Sequence, residues 1–388
     1  MTGRVNLAAL WKPCAARVAT LKRLLAIALL AVFVVGCATQ PPGIGDPVDW
    51  SDLEQWESDD HGAALTAFQV GCPKLKQPQW QAVCELAKNT GELSSAQAKT
   101  FFESHFEVRP VYAEGGATEG LITGYYEPLL RGSRQQTEQY RYPLYGVPPD
   151  LLTISLSEQY PKLKGMRLRG KLEGTKIVPY YNRAQLDADE TLLQGNELVW
   201  VDDIVDAFFL HIQGSGQVQL QDGSTVGVGY AAQNGHPYRS IGRVLIDQGE
   251  LEREDVTLFT IKDWLESNPE RMSETLAQNP SYIFFELRDA DASGPVGSLN
   301  VPLTARRSIA VDRNVIPLGA PVWLQTTLPS AESPQFNQLM LAQDTGGAIK
   351  GNVRADVFWG KGQEAETMAG LMKQQGELFV LLPKPSTP

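Results

Sequence analysis

The sequence predicts a mainly β protein with a helical N-terminal part, in which a β-barrel domain is interrupted by an insertion of mixed structure. Residues 52–106 carry apolar side chains at three- and four-residue steps, a spacing typical of amphipathic helices. Residues 108–130 and the residues after 300 instead show short runs of β-branched and aromatic residues between glycine corners, as strands do. Because strand-like segments flank a mixed middle, we expect both ends of the chain to contribute to one barrel.

The same patterns divide the middle and the end of the chain. The middle is predicted to contain strands at 198–203, 208–232 and 282–287, and helices at 239–249 and 259–280. Gln221-Asp222-Gly223 is a hairpin turn within the second strand segment, and Pro269 is expected to break the second helix. The last part is predicted to contain strands at 301–313, 321–326, 338–344, 355–360 and 378–383, with one helix at 362–376.

The first 36 residues have the features of a secretion signal. Five cations and no anion flank an apolar run at 24–35 that is too short to span a membrane. Residues 34–37, Val-Val-Gly-Cys, resemble a bacterial lipobox, in which Cys37 becomes the lipidated first residue. An ordinary cleaved signal with a chance cysteine is the alternative. Because Ala38 rather than aspartate follows, the resemblance to Gram-negative lipoproteins implies the outer membrane. Residues 37–50 are rich in proline and glycine and are predicted to be a tether.

Charge and cysteine content exclude several functions. Removing residues 1–36 changes the net charge from −11 to −16, so the mature chain is acidic, which argues against nucleic acid and against a polybasic membrane patch. Apart from Cys14 and Cys37, only Cys72 and Cys84 remain. They could form one disulfide across a short loop or stay two separate buried thiols. The four histidines are scattered without ligand spacing, so we expect no metal and no other cofactor.

The segment 342–358, AQDTGGAIKGNVRADVF, allows three chemistries. Its DTG tripeptide occurs in aspartic proteases, but these need two carboxylates, each on its own loop, and the chain has one such tripeptide. Its glycines suggest a phosphate loop, but GGAIKG lacks the spacing and the final hydroxyl of that motif. The glycines fit a tight corner between strands better, where they would supply positive φ.

The third chemistry uses Asp344 and Asp356 as a carboxyl pair for polysaccharide cleavage. This reaction needs a protonated carboxyl beside the glycosidic oxygen, and burial together with a nearby like charge raises a carboxyl pKa toward that state. We expect the two acids at the rim of consecutive strands. Side chains suited to sugar contacts, each of which could instead be core or surface, are Tyr125, Tyr126, Gln213, Ser215, Asn234, Tyr238, Trp323, Phe358 and Trp359.

Four motifs in order make the chain recognisable. They are GYYEP at 124–128, DAFFLHIQGSG at 206–216, SIAVDRNVIPLG at 308–319 and AQDTGGAIKGNVRADVFWG at 342–360. Together they resemble the membrane-bound lytic murein transglycosylase A family, over a region from about Leu121 to the C-terminus. The last two motifs resemble the three-aspartate module of that family, whose acidic positions fall on Asp312, Asp344 and Asp356.

The resemblance implies a double-psi β-barrel domain interrupted by a smaller inserted β-rich domain, with peptidoglycan glycan strands bound in the groove between them. It implies that Asp356 is the single catalytic acid and base, that Asp344 supports it, and that Asp312 is a third, structural position. The residues expected to contact the substrate are Tyr125, Tyr126, Glu127, Gln213, Ser215, Asp312 and Phe358.

The implied reaction breaks the β-1,4 bond between N-acetylmuramic acid and N-acetylglucosamine and leaves a 1,6-anhydro end. A non-catalytic peptidoglycan-binding lipoprotein and a lysozyme-type hydrolase are the alternatives. We expect a lipid-anchored monomer facing the periplasm, with cell-wall synthases as candidate partners. The expected divisions are a signal at 1–36, a tether at 37–50, the first part of the barrel at 51–130, the insert at 131–290 and the second part of the barrel at 291–388.

Overall fold

A computed structural model of the chain describes residues 40–163, 166, 168–289 and 294–385. The predicted signal and the predicted lipidation site Cys37 lie outside the described residues. Pro42–Pro388 forms one unit, in which the predicted barrel and the predicted insert pack together. Among the described residues, every helix is too short or too polar to cross a bilayer.

After a short first strand, three helices precede a run of strands, and helices and strands are mixed from residue 183 onward. The α-helices are α1 (His61–Gly71), α2 (Pro78–Lys88), α3 (Ser95–His105), α4 (Arg183–Ala188), α5 (Ile204–Gln213), α6 (Ile241–Asp247), α7 (Leu258–Ser267), α8 (Pro269–Ala277) and α9 (Gln363–Leu371). The strands before the middle of the chain are β1 (Gly43–Ile44), β2 (Phe106–Tyr112), β3 (Glu119–Glu127), β4 (Leu129–Ser133), β5 (Tyr142–Tyr145), β6 (Leu152–Thr153), β7 (Arg169–Glu173), β8 (Lys176–Val178) and β9 (Glu197–Val201). The later strands are β10 (Gly216–Leu220), β11 (Thr225–Gln233), β12 (Ile283–Asp289), β13 (Ser308–Val311), β14 (Pro321–Thr327), β15 (Gln335–Asp344), β16 (Arg354–Lys361) and β17 (Lys373–Pro383). Short 3₁₀-helices lie at Trp50–Asp52, Trp56–Ser58, Cys72–Lys74, Glu114–Gly116, Pro161–Leu163 and Glu190–Leu193.

Six strands form a closed ring. The sheet runs in the order β1-β2-β17-β14-β15-β13-β16-β3, and β17 also pairs with β3, which closes the ring through β17, β14, β15, β13, β16 and β3. Two neighbouring pairs in this ring, β13 with β15 and β16 with β3, are parallel. Because β3 precedes the middle of the chain and the other five strands follow it, both ends of the chain build the barrel, as the sequence predicts.

The N-terminal helices cover one side of the barrel. Asp60 caps α1 and Ser94 caps α3 by accepting hydrogen bonds from the free N–H groups of the first turns. Phe68 and Phe102 on their buried faces pack on Phe106 at the start of β2. Cys72 and Cys84 form a disulfide that joins the end of α1 to α2, which decides between the two states that the sequence leaves open.

A buried ion pair attaches this helical part to the strands β13 and β15 of the ring. Both oxygens of Asp59 accept hydrogen bonds from the Arg307 guanidinium, at 2.8 and 2.9 Å. Asp59 also accepts from the Leu339 N–H of β15, and Arg307 also donates to the Leu339 carbonyl. Arg307 immediately precedes β13, so this pair fixes β13 against β15 from outside the ring.

The middle of the chain forms a second sheet with the order β12-β11-β10-β4-β9-β5 and a separate three-stranded sheet, β6-β7-β8. One expectation fails here, because residues 208–213, predicted as the start of a strand, belong to the helix α5. Asp203 caps the first turn, and Ala207, Leu210 and His211 are buried at the three- and four-residue steps of a helix. Gly214, with φ of 80°, ends the helix, and the strand begins at Gly216. Pro269 breaks α7 from α8 as expected.

The described part of the predicted tether is held against the barrel. Gly43 and Ile44 pair with Tyr112 and Val111 of β2, and Val48 forms a bridge with Val108. The chain therefore joins the edge of the sheet several residues before the expected end of the tether.

We expect Asp59→Asn to lower the free energy of unfolding by about 3–5 kcal/mol, because it leaves the Arg307 guanidinium buried without its counter-ion. Urea unfolding followed by circular dichroism measures this loss. Glu57→Gln is the control, since Glu57 is an exposed partner of Lys99 and its loss is expected to change the free energy by less than about 1 kcal/mol. Equal losses in the two variants would contradict the role given to the buried pair.

Candidate active site

The two aspartates of the last motif lie on one face of the barrel wall, on either side of β13. Ala310 pairs with Asp344 of β15 on one side and with Asp356 of β16 on the other. Neighbouring strands are about 4.8 Å apart, so the two Cα atoms are roughly 10 Å apart and their carboxyl groups point to the same side. The strands that carry the two acids, β15 and β16, follow one another in the chain, as expected. In the sheet they are not neighbours, because β13 lies between them.

Asp344 is held by four donors. Its Oδ1 accepts hydrogen bonds from the Ser298 N–H at 2.9 Å, the Ser298 hydroxyl at 2.9 Å and the Thr345 N–H at 2.8 Å. Its Oδ2 accepts from the Tyr125 hydroxyl at 3.0 Å. Burial raises the pKa of Asp344 above its ordinary value, and these hydrogen bonds act in the opposite direction because they favour the anion. The side chain is therefore fixed in position on both oxygens.

Asp356 has a different environment. Its Oδ1 accepts a hydrogen bond from the Thr123 hydroxyl, and its Oδ2 accepts none from the residues that the structure describes. Burial raises the pKa of Asp356, the Arg354 guanidinium and the Thr123 hydroxyl lower it, and Asp344 adds a smaller upward contribution. The residue is half-buried, so the unpartnered oxygen can be reached from outside. Of the two acids, Asp356 is thus the one equipped to donate a proton.

An apolar wall stands beside the two acids. Tyr125 of β3 pairs in register with Phe358 of β16, and their ring centroids are 5.2 Å apart. Both lie two residues beyond Thr123 and Asp356, so they face the same side of the sheet. They form a small buried cluster with Leu303, Ala310 and Ile349. Tyr125 and Phe358, which are 8% and 3% exposed, therefore lie beside the two acids, and their contact with substrate stays a prediction.

The middle of the chain, which contains the second sheet and is called the second sheet region below, also reaches this site. Burial raises the pKa of the Tyr238 hydroxyl, and the charge of Asp356 contributes to the rise, which places Tyr238 within electrostatic range of that carboxyl. The Tyr238 side chain also lies beside Gly347 of the glycine loop. Tyr238 lies in the loop before α6, so a residue from the middle of the chain also lies near the two acids.

Three aromatic residues predicted for the sugar site are in the core instead. Tyr126 is 5% exposed and its hydroxyl donates to Glu366 of α9. Trp323 is fully buried, and Trp359 stacks on Phe336 inside the barrel. The reason is the alternation of side chains along a strand, which sends Tyr125 and Tyr126 to opposite faces, and likewise Phe358 and Trp359.

The polar residues expected to bind sugar differ in whether their side chains already make hydrogen bonds within the protein. Glu127 lies at the end of β3, is 7% exposed and accepts from Gln217, and burial raises its pKa. Gln213 accepts from the Tyr126 N–H, so its carbonyl oxygen is used by the backbone. Ser215 is half-buried, and its hydroxyl makes no hydrogen bond to the described residues.

Two further polar residues have structural contacts. Asn234 is 1% exposed and bonds the backbone of Tyr181, Pro280 and Tyr282, so it is not a sugar ligand. The remaining acid of the three-aspartate motif, Asp312, accepts from Asn314 and from the Gly351 N–H at 3.1 Å.

The glycine loop between the two acids is a corner, but only one of its three glycines has positive φ. Gly351 has φ of 106°, and its N–H is the group that Asp312 holds. At Gly346, a Cβ atom would lie 2.6 Å from Ile349, so glycine is needed there for close packing rather than for its φ.

Three residues at the site are missing from the sequence-based set. Thr123 and Arg354 stand two positions before Tyr125 and Asp356, so the two-residue period of strands would have identified them. Ser298 carries no such signal, because it lies in a loop and meets Asp344 only through the fold.

Other features of the described residues do not compete for this role. Among them, no group of three or more histidine, cysteine or acidic side chains could hold a metal ion. A cavity of about 1020 Å³ lies at the N-terminal helices, away from both acids, and includes Leu65, Gln69 and the Cys72–Cys84 disulfide in its lining.

Two half-buried carboxyl groups on one wall of the barrel, one held by donors and one with a free oxygen, define an enzyme of acid–base chemistry. Comparisons with known proteins identify the family. Residues 121–286 match the family model described as the MltA specific insert domain, and residues 307–382 match the 3D domain.

Relatives extend this match over most of the chain. The membrane-bound lytic murein transglycosylase A of Escherichia coli K12 is 31% identical over 359 residues, which covers 89% of this chain and 86% of the relative. The crystal structure of MltA from Neisseria gonorrhoeae superimposes with a TM-score of 0.74 at 37% identity, covering 90% of this chain and 99% of the other. The structure of E. coli MltA with bound chitohexaose gives 0.67 at 27% identity, covering 91% and 97%. The chain belongs to the membrane-bound lytic murein transglycosylase A family.

We expect Asp356→Asn to melt at a higher temperature than the wild type at pH 7, with the difference disappearing near pH 3. The raised pKa of Asp356 means that the fold favours the protonated form. That contribution is complete below the unfolded pKa and is lost as pH rises through the folded pKa, because ionisation then favours the unfolded chain. Asparagine cannot ionise, so the variant does not undergo this loss of stability. Thermal unfolding at the two pH values measures the effect.

The matched control is Asp222→Asn, at an exposed turn where hydrogen bonds from Ser224 lower the aspartate pKa. This variant is not expected to gain stability at pH 7. A melting temperature of Asp356→Asn that is below the wild type at pH 7 and unchanged by acid would contradict the assigned environment.

Proposed function

We propose that this protein cleaves the β-1,4 bond between N-acetylmuramic acid and N-acetylglucosamine in peptidoglycan, forming 1,6-anhydromuramic ends with Asp356 as the single acid and base. The observation that carries this proposal is the contrast between the two carboxyl groups. Asp356 has one free oxygen and a pKa raised by burial, whereas both oxygens of Asp344 are occupied by donors. Family membership supplies the substrate class, since its named relatives are lytic murein transglycosylases.

In the first half of the reaction, the protonated Oδ2 of Asp356 donates its proton to the glycosidic oxygen. The bond from this oxygen to C1 of the muramic residue breaks, and the N-acetylglucosamine unit leaves with a new 4-hydroxyl group. The transition state has oxocarbenium character, so positive charge develops at C1. Proton donation from a positioned acid contributes about 10²–10⁴-fold to such a rate.

In the second half, the C6 hydroxyl of the same muramic residue attacks C1, and its proton passes to the Asp356 carboxylate. One C–O bond is broken, one is formed, and the proton returns to its source, so no water molecule and no second base is consumed. This explains why one carboxyl with a free oxygen can serve, where hydrolysis by retaining or inverting enzymes uses two.

Asp344 would act electrostatically. Its three donors on Oδ1 hold the carboxylate in place, and its negative charge faces the same side as Asp356 and stabilises the positive charge at C1. The Tyr125 hydroxyl, which bonds Asp344, fixes the aromatic wall against which a sugar ring can lie.

We further propose that glycan strands lie between the barrel and the second sheet region, where Tyr238 approaches Asp356. The E. coli relative binds chitohexaose, a chain of linked sugars, which supports a polysaccharide groove in this fold. Phe358, Ser215 and Glu127 are the remaining candidate contacts to the glycan strand. We also assign the double-psi topology to the six-stranded ring, because two of its neighbouring strand pairs are parallel. The domain divisions given above remain proposals.

The family is membrane-bound, and we propose a lipid anchor on Cys37 as the means, in the outer membrane and facing the periplasm. A lipid anchor would leave a monomeric enzyme on the membrane surface with its substrate, the cell wall, within reach. Cell-wall synthases remain candidate partners.

The activity is tested by digesting purified glycan strands with a soluble protein that lacks residues 1–37 and weighing the products. We expect muropeptides lighter by one water than those of a hydrolase, because the anhydro bond forms in place of water addition. Normal reducing ends would support the hydrolase alternative, and binding without cleavage would support the non-catalytic alternative.

The residue assignment is tested with Asp356→Asn in the same assay. We expect the variant to fold, to bind glycan strands in a pull-down, and to lose turnover by at least about 10²-fold, since amides do not donate the required proton. Asp222→Asn serves as the control and keeps wild-type turnover, because it lies in an exposed hairpin turn. Full activity of Asp356→Asn would exclude Asp356 as the acid.

A further inference from the structure

Arg354 occupies a place beside the catalytic acid that nothing in the reaction above uses. It lies on β16, two residues before Asp356, and is half-buried on the same face. One guanidinium nitrogen, Nη1, donates to the carbonyl oxygens of Leu121 and Ala355. The other, Nη2, donates to the Thr123 hydroxyl oxygen at 2.9 Å. The side chain is therefore held by two backbone carbonyl groups through Nη1, with Nη2 directed at Thr123.

These contacts set the direction of the hydrogen bond between Thr123 and Asp356. A guanidinium group can only donate hydrogen bonds, so the Thr123 oxygen must be the acceptor from Arg354. A hydroxyl has a single hydrogen, and that hydrogen is then directed at Oδ1 of Asp356. An oxygen that accepts this bond is the less basic of the two carboxyl oxygens, so the acid proton resides on the other one.

We infer that Arg354 is a positioning residue that, through the Thr123 hydroxyl, keeps the transferable proton of Asp356 on Oδ2, the oxygen that is open to the substrate. Without Arg354, the Thr123 hydroxyl could rotate and accept a hydrogen bond from a protonated Oδ1, and a fraction of the molecules would carry the proton on the closed side. The inference rests on the proposed role of Asp356 and names how that role is controlled.

The charge of Arg354 has a second, separable effect. The groups that face Asp356 are Asp344 from β15, Tyr125 from β3, Tyr238 from the second sheet region and Arg354 from its own strand. Lys373 of β17 pairs with Thr123 of β3, but its ammonium group donates a hydrogen bond to the Arg253 carbonyl oxygen.

Of these groups, Arg354 is the cation that lowers the pKa of Asp356. Removing it therefore raises that pKa. Because the acid must be protonated, activity is lost as pH rises through this pKa, so the alkaline limit of activity moves to higher pH.

The test uses four single variants in the glycan-digestion assay, each with a full pH profile and a melting curve. We expect Arg354→Met to lower kcat about tenfold with little change in KM, a part of the 10²–10⁴-fold from proton donation, and to move the alkaline limit to higher pH. Arg354→Lys keeps a cation and a donor and is expected to restore the alkaline limit. Arg243→Met, at an exposed arginine on α6 paired with Asp247, is the control and keeps wild-type values.

The fourth variant, Thr123→Val, tests the route. If Arg354 acts through the Thr123 hydroxyl, the double variant Arg354→Met with Thr123→Val is expected to have the kcat of Thr123→Val alone. The inference would be overturned if the loss of kcat in the double variant were the product of the losses in the two single variants. A wild-type kcat and pH profile for Arg354→Met would also overturn it. A loss of melting temperature without these kinetic changes would also overturn it, because it would show a purely structural role.

The outcomes separate this inference from the proposed function. An active Asp356→Asn would refute the role of Asp356 itself. An inactive Asp356→Asn together with a wild-type Arg354→Met would refute only the role of Arg354.

Discussion

The pairing of β13 with β15 on one side and β16 on the other is the constraint on which the site depends. It sets Ala310 between Asp344 and Asp356, at a spacing of two strands, and it points both carboxyl groups to one face. The short β13 is fixed from two directions. The buried Asp59–Arg307 pair holds its start from the helical side, and the Ser308 hydroxyl donates to Gln343 of β15, whose amide in turn donates to the Ala67 carbonyl of α1. The N-terminal helices thus contribute to the geometry of a site that they do not touch.

The two carboxyl groups differ because their hydrogen-bond environments differ, although both are half-buried on the same wall. Four donors favour the anionic form of Asp344, whereas one hydroxyl contacts Asp356 and leaves an oxygen free. A carboxyl group with few donors in a partly buried place is unfavourable for folding when it is charged. The barrel retains such a group at the position where we propose a proton donor, which is a common conflict between stability and activity at enzyme sites.

The second sheet region is held on the barrel by more than the chain connections. Lys262 of α7 pairs with Asp206 of α5 and lies 3.5 Å from Glu366 of α9, and Glu366 accepts from Tyr126. Gly124 of β3 adds to this contact region, because a Cβ atom there would lie within 3 Å of Trp359 and of α9. The motif GYYEP therefore has two roles. Tyr125 faces the acids, while Gly124 and Tyr126 fix the barrel wall from its other side.

Much of the fold could be predicted from the sequence, because alternation and glycine corners mark strands and capping residues mark helices. The prediction was wrong at 208–213, where a run of apolar residues suits a buried strand and a buried helix equally, and the Asp203 cap and Gly214 decide for the helix. It was also wrong at 373–376, which were predicted as the end of a helix and belong to β17. For the site, the sequence by itself predicted Asp344, Asp356, Tyr125 and Phe358, from residue type and from the resemblance of their motifs to a known family. Only the tertiary structure decided that Tyr126, Trp323 and Trp359 are core residues, that Cys72 and Cys84 are bonded, and that Ser298, Thr123 and Arg354 surround the acids. The reason is that hydrogen-bond partners and sheet faces depend on which strands become neighbours, and strands far apart in the chain are brought together only by closing the ring.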